Sequence, residues 1–180
     1  MKQDLLEIIN HYGVLNQLEY YQTEVWELNE AIIRYDIANA DNTLEKYYID
    51  ESNKMKKHIA EELADNFVML YQFKEYYKLD FELIKDFITF DSNPLRYLKI
   101  FVKDVYRLSK EIIEFECRNN EYYYSDEDRG DMELFMKDKL LIVLYKLKNI
   151  QAYYGITDEE IEEVMRFKID RQKKRMEKEK

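Results

Sequence analysis

The sequence predicts an all-α fold, and three observations carry that prediction. Three glycines and one proline in 180 residues leave almost no turn chemistry for β-hairpins or for the glycine-rich loops of a Rossmann sheet. Apolar residues recur at helical spacing almost everywhere. A hydrophobic content of 46%, with 17 Tyr and 9 Phe, supplies a core and excludes a disordered segment. At 22.2 kDa the chain is one domain's worth of protein, residues 1–180.

Leu18, Tyr21, Val25, Leu28, Ile32 and Tyr35 form an i, i+3, i+4, i+7 stripe, so a helix is predicted from Val14 to Asp36. Ile59, Leu63, Phe67, Leu70 and Phe73 mark a second, from Met55 to Tyr77, and the polar segment from Ile37 to Asn53 reads as a loop between them. Asn93 followed by Pro94 reads as an N-cap with proline in the first helical position, opening a helix that ends near Arg118. Another spans Met132 to Tyr153. Thr157 and Glu160 have the spacing of a capping box for a final helix running into the charged tail.

Lys plus Arg number 28 against 38 Asp plus Glu, a net charge of -10. Nonspecific nucleic-acid binding is therefore not expected, and an anionic ligand would need cations as intermediaries. The lone Cys117 cannot form an internal disulfide and reads as a small buried hydrophobe in a reducing compartment. Acids interrupt the amino-terminal apolar residues, and the longest apolar run, Leu140 to Tyr145, is far short of a bilayer span. A soluble cytoplasmic protein, without membrane partners, is expected.

The chain also resembles itself. Shifted by 80 residues, Glu19 to Asp36 lies on Lys99 to Glu116, with Val25 on Val105, Leu28 on Leu108, Trp26 on Tyr106 and Glu24 on Asp104. Shifted by 77, Glu61 to Phe87 lies on Asp138 to Val164, with Leu63 on Leu140 and Tyr76–Tyr77 on Tyr153–Tyr154. The expected architecture is a helical bundle of two pseudo-repeats around a four-helix core. Residues 1–79 form the first repeat; residues 80–180 form the second, with a basic carboxy-terminal helix.

The repeats differ in their acids. Glu24 and Glu27 leave one side of their helix, with Glu30 extending the row, and Glu62 and Asp65 repeat the spacing on the next helix, preceded by Glu61. At the matching positions the second repeat has Arg107 for Glu27, Lys110 for Glu30, Lys139 for Glu62 and Ile142 for Asp65. Four carboxylates facing one helical seam repel each other unless cations neutralise them, and all-oxygen ligands suit Mg²⁺ or Mn²⁺. The Glu-x-x-His pairs of a di-iron bundle are absent, since neither His11 nor His58 follows a glutamate by three residues. The competing reading of the acids is a solvated face.

Glu24-Val-Trp-Glu27 and Glu62-Leu-Ala-Asp65, within QLEYYQTEVWELNEAI and EELAD, resemble the paired acidic motifs of MazG-like all-α nucleoside triphosphate pyrophosphohydrolases. The likeness covers Tyr12 to Tyr77 and resumes at FKIDRQKKRM, although Thr23 stands where members often carry a further acid. It implies Mg²⁺-dependent cleavage of a nucleoside triphosphate to the monophosphate and pyrophosphate, a nucleotide-pool housekeeping activity. A narrower deoxynucleotide diphosphatase, and a non-enzymatic helical scaffold or regulatory interaction protein, are the alternatives. A homodimer is compatible with the resemblance, because related enzymes assemble further.

On this reading Glu24, Glu27, Glu62 and Asp65 are metal ligands, and Glu27 or Glu61 is the candidate catalytic base. Lys168, Arg171 and Arg175, at three- and four-residue spacing on the last helix, are expected to meet phosphates, against the alternative of a solvated basic face. Asn66 lies within an apolar arc and is a candidate for reading a base edge, in competition with a bond to another helix. Trp26 leaves its helix roughly 200° from Glu24 and is expected to pack away from the acids. The segment from Glu121 to Asp131 reads as a solvated connection, its Gly130 misplaced for a calcium loop.

Overall fold

The computed structural model describes residues 1–40, 47–81, 94–119 and 126–179. These form helices α1 (Lys2–Tyr12), α2 (Val14–Ala40), α3 (Tyr47–Tyr76), α4 (Pro94–Asn119), α5 (Asp126–Tyr153) and α6 (Asp158–Lys178). The described residues contain no strand, as the scarcity of glycine predicts. None of the helices is long and apolar enough to cross a membrane.

The predicted stripes are the buried faces. Leu18, Tyr21, Val25, Leu28 and Ile32 of α2, and Ile59, Leu63, Phe67, Leu70 and Phe73 of α3, are all buried. They join Leu108 and Ile112 of α4, Leu140, Leu144 and Leu147 of α5, and Ile161, Met165 and Ile169 of α6 in one core. Each such side chain contributes on the order of 1.5–3 kcal/mol when fully buried. The helix pairs α2–α3 and α4–α5 pack against each other, α2 also meets α4, and α3 meets α5 and α6.

Several boundaries differ from the sequence expectation. Helix α1, not anticipated, buries Leu5, Ile8 and Ile9 and ends where Gly13 takes a φ of 85°. Part of the expected loop from Ile37 to Asn53 is helix, because α2 continues to Ala40 and α3 begins at Tyr47. A polar stretch remains helical where it needs no apolar face: Ser52 donates to Asn39 across the two helix ends, and Lys54 pairs with Glu51 one turn back. Likewise α5 starts at Asp126 rather than Met132, so the carboxy-terminal half of the expected connection from Glu121 is helical; residues 121–125 lie outside those described, as does the proposed N-cap Asn93. Thr157 and Glu160 form the expected capping box.

Helices α3 and α5 end in the same turn. The amides of Tyr77, Lys78 and Leu79 donate to Phe73, Glu75 and Lys74, and those of Tyr154, Gly155 and Ile156 donate to Ile150, Ala152 and Gln151. Lys78 takes a φ of 54° and Gly155 of 59°. The tyrosines of the two turns then reach across the molecule. Tyr77 meets the Phe115 ring edge-on at 5.3 Å and donates to Glu116 at 2.8 Å. Tyr154 meets Tyr35 edge-on at 5.3 Å and donates to Asp36 at 3.1 Å.

Candidate functional site

Helices α2 and α3 run antiparallel, Tyr21 meeting Phe73 while Asn66 meets Glu24, and this brings the two acidic motifs together. Glu24, Glu62 and Asp65 each offer a carboxylate oxygen within 4.8 Å of the others. Glu62 is only 7% exposed, and its Oε2 is buried with no hydrogen-bond partner among the described residues. An acceptor in that state carries a desolvation cost that a cation would relieve.

The electrostatics follow from this crowding. Burial, then the charges of Asp65, Glu27 and Glu62, push the Glu24 carboxyl up to about 8, against the opposing pull of Lys168. Burial also raises Glu62 and Asp65 above the ordinary carboxylate range. Asp65 is raised even though Lys168 of α6 donates to its Oδ2, because most of both side chains is out of water. Desolvation therefore outweighs the compensating charges of Lys168 and Arg171.

The remaining expected residues divide. Glu27 is exposed and outside the compact trio, yet its charge acts on all three members. Glu30 turns away to pair with Arg34 at 2.5 Å. Glu61 lies 3.9 Å from His58 and lines the cleft between α3 and α6. Arg171 is exposed at that cleft and acts on Asp65. Arg175, one turn farther, acts instead on Tyr12 of α1.

Asn66 is fully buried and donates through Nδ2 to the backbone carbonyls of Glu24 and Glu62, each at 2.9 Å. Its amide clamps the two acidic turns together, the helix-to-helix bond that competed with base reading. Two expectations are corrected. Trp26 is 69% exposed rather than packed, because the arc opposite the acids faces outward, and Cys117 is exposed, two residues beyond the buried Phe115 and off the stripe.

Sequence reasoning missed His58 and the pairing of Lys168 with Asp65. His58 lies 3.4 Å from Glu62 Oε1, a neighbour that the i, i+4 spacing signals. Lys168 and Asp65 are far apart in sequence, and only the packing of α6 on α3 unites them. Comparison with known proteins returns no significant match to a family model, a curated protein or a solved structure.

Proposed function

We propose that the chain is a divalent-metal-dependent nucleoside triphosphate pyrophosphohydrolase of MazG-like type, converting a nucleoside or deoxynucleoside triphosphate to the monophosphate and pyrophosphate. The observation that carries this reading is the convergence of Glu24, Glu62 and Asp65, with a buried, partnerless oxygen on Glu62. The basic side chains beside this trio are Lys168 and Arg171, acting on Asp65, and His58, 3.4 Å from Glu62. An all-oxygen donor set of this charge fits Mg²⁺ or Mn²⁺. When bound there, the ion supplies the positive charge that lets a polyphosphate approach the acids and lowers the pKa of nearby water.

The chain's own groups take the remaining duties. Asn66 holds the two acidic turns in register. Arg171 and Lys168 neutralise phosphate oxygens, Lys168 exchanging Asp65 for substrate. Glu27, outside the compact trio, accepts the proton of the attacking water. The water oxygen bonds to the α-phosphorus, the P–O bond from that phosphorus to the α–β bridging oxygen breaks, and its electron pair leaves with pyrophosphate.

We further read residues 1–79 and 80–180 as a duplicated unit whose first copy keeps the site. The reciprocity of Tyr77 with Phe115 and Glu116, and of Tyr154 with Tyr35 and Asp36, supports this, since a two-fold arrangement requires each contact to appear twice. The packing of α2, α3, α5 and α4 in a closed ring of neighbours supports a four-helix core.

Hydrolysis of a nucleotide panel with Mg²⁺ or Mn²⁺ tests the function. Glu62→Gln and Asp65→Asn should each lose at least about a hundredfold in rate, and absence of pyrophosphate from every nucleotide would refute the reading. The exposed Trp26 and Ile37 of α2 and Tyr106 of α4 favour a partner-binding scaffold as the second reading. Partner binding would survive Glu62→Gln and Asp65→Asn unchanged.

A further inference from the structure

Helix α6 packs on α3, Lys56 meeting Gly155 in the turn before α6 and Asp65 meeting Lys168 within it. Nine residues of α3 separate these two contacts, a run of about 14 Å. Along it lies a cleft of about 830 Å³, within the range of small-molecule sites. The cleft adjoins the acidic trio, because Lys168 lines it while holding Asp65.

Its lining differs from the rest of the surface. The chain carries a net charge of -10, yet Lys56, Lys57, Lys168 and Arg171 outnumber three glutamates here. Lys56 is spent on the Gly155 carbonyl at 3.0 Å, and Lys168 on Asp65. Lys57 and Arg171 are exposed along the walls. Phe167, 64% exposed, lines the same cleft, together with the buried Ala60 and Ile156. The ring of Phe167 is thus accessible beside basic side chains. It offers a face on which a planar ring can stack while cations meet the attached phosphates.

We propose that the α3–α6 cleft binds the organic end of a nucleoside polyphosphate, its base stacked on Phe167 and its phosphates between Arg171, Lys57 and the acidic trio. This assignment rests on the function proposed above and extends it. Phe167 becomes the base-binding residue, while Asn66, fully buried and donating to two backbone carbonyls, serves as the clamp between α2 and α3.

Titration calorimetry of the full chain with Mg²⁺ and two probes tests it: an α,β-methylene nucleoside triphosphate and inorganic tripolyphosphate. Phe167→Ala should weaken the nucleotide analogue about tenfold and leave tripolyphosphate within about twofold, while Phe167→Trp restores the analogue. Lys57→Ala with Arg171→Ala should weaken both probes. Equal binding of the analogue to wild type and Phe167→Ala, equal weakening of both probes by Phe167→Ala, or no binding of the analogue to wild type would each overturn the assignment. Phe167-dependent binding without hydrolysis of any nucleotide would retain the cleft and remove the catalytic reading. Hydrolysis with Phe167-independent binding would remove the cleft alone.

Discussion

Raising the pH should weaken the metal-free fold while strengthening its hold on magnesium, and both effects trace to Glu24. Its carboxyl is pushed up to about 8 by burial and by the charges of Asp65, Glu27 and Glu62, while the unfolded chain returns it to 4.5. Between these values the folded protein binds more protons than the unfolded one, so stability declines as pH rises through the window and levels off above about 8. Allowing for solvent screening of a part-buried group, the loss from Glu24 is about 2 kcal/mol, or about 5 °C in melting temperature. Glu62 and Asp65, also raised, act in the same direction. Metal binding must expel the proton. At pH 7 about one Glu24 in ten is ionised, so the apparent Mg²⁺ affinity should rise about tenfold by pH 9, with nearly one proton released per ion at pH 7. Calorimetry in two buffers of different ionisation enthalpy counts that proton, and thermal unfolding with and without Mg²⁺ follows the stability. Glu24→Gln should make both profiles shallower, leaving the slope that Glu62 and Asp65 contribute. An affinity equal at pH 7 and pH 9 in the wild-type chain, or a pH slope undiminished by Glu24→Gln, would refute the reasoning.

Lys168→Met removes the ammonium that faces Asp65 and should destabilise the metal-free protein by about 1–3 kcal/mol, with a larger Mg²⁺-induced rise in melting temperature than in wild type; an unchanged rise would show that Lys168 and the ion do not compete. Asn66→Ala, which unclamps the carbonyls of Glu24 and Glu62, should cost about 1–3 kcal/mol in denaturant unfolding, and a neutral result would deny the clamp. Lys78, at a φ of 54°, should tolerate Lys78→Gly with a gain of about 0.5–1 kcal/mol, measured the same way; a loss would mean that the lysine side chain contributes more than its backbone conformation costs.

The long helices were legible because burial enforces a 3.6-residue period, and the stripe from Leu18 to Ile32 is the buried face of α2. Helix α1 escaped notice although Leu5, Ile8 and Ile9 follow the same period, since three apolar residues are too few to stand out. The first turns of α3 were equally hidden, because Asp50, Glu51, Ser52, Asn53 and Lys54 interrupt any apolar stripe there. Within the site, the three-residue spacing announced Glu62 and Asp65, and paired Glu24 with Glu27. It could not separate Glu24, half-buried in the trio, from Glu27, exposed one turn on. Nor could local sequence reveal that Lys168 answers Asp65, or that Asn66 donates to the turn carrying Glu24, because tertiary packing sets both contacts. Phe167 stood out only as the first residue of FKIDRQKKRM: an aromatic residue among charges on a basic helix acquires a binding role only from the cleft beside it.

The proposed second copy answers the same charge problem differently. Asp104, at the position matching Glu24, is buried to 8% exposure, with Arg107 at 3.0 Å and Lys146 at 3.5 Å. Arg107 stands at the position of Glu27. The second half thus retains one buried acid and neutralises it with its own cations, where the first gathers acids that Lys168 only partly offsets. Metal dependence should accordingly be confined to the first half. Asp104→Asn should lower stability by about 1–3 kcal/mol, because Arg107 and Lys146 lose their shared carboxylate. It should leave the Mg²⁺-induced rise in melting temperature and the metal stoichiometry intact. Glu62→Gln should abolish that rise while leaving the Asp104 pair in place. A Mg²⁺ response that disappears with Asp104→Asn would place an ion on the second half and undo the division of labour between the two.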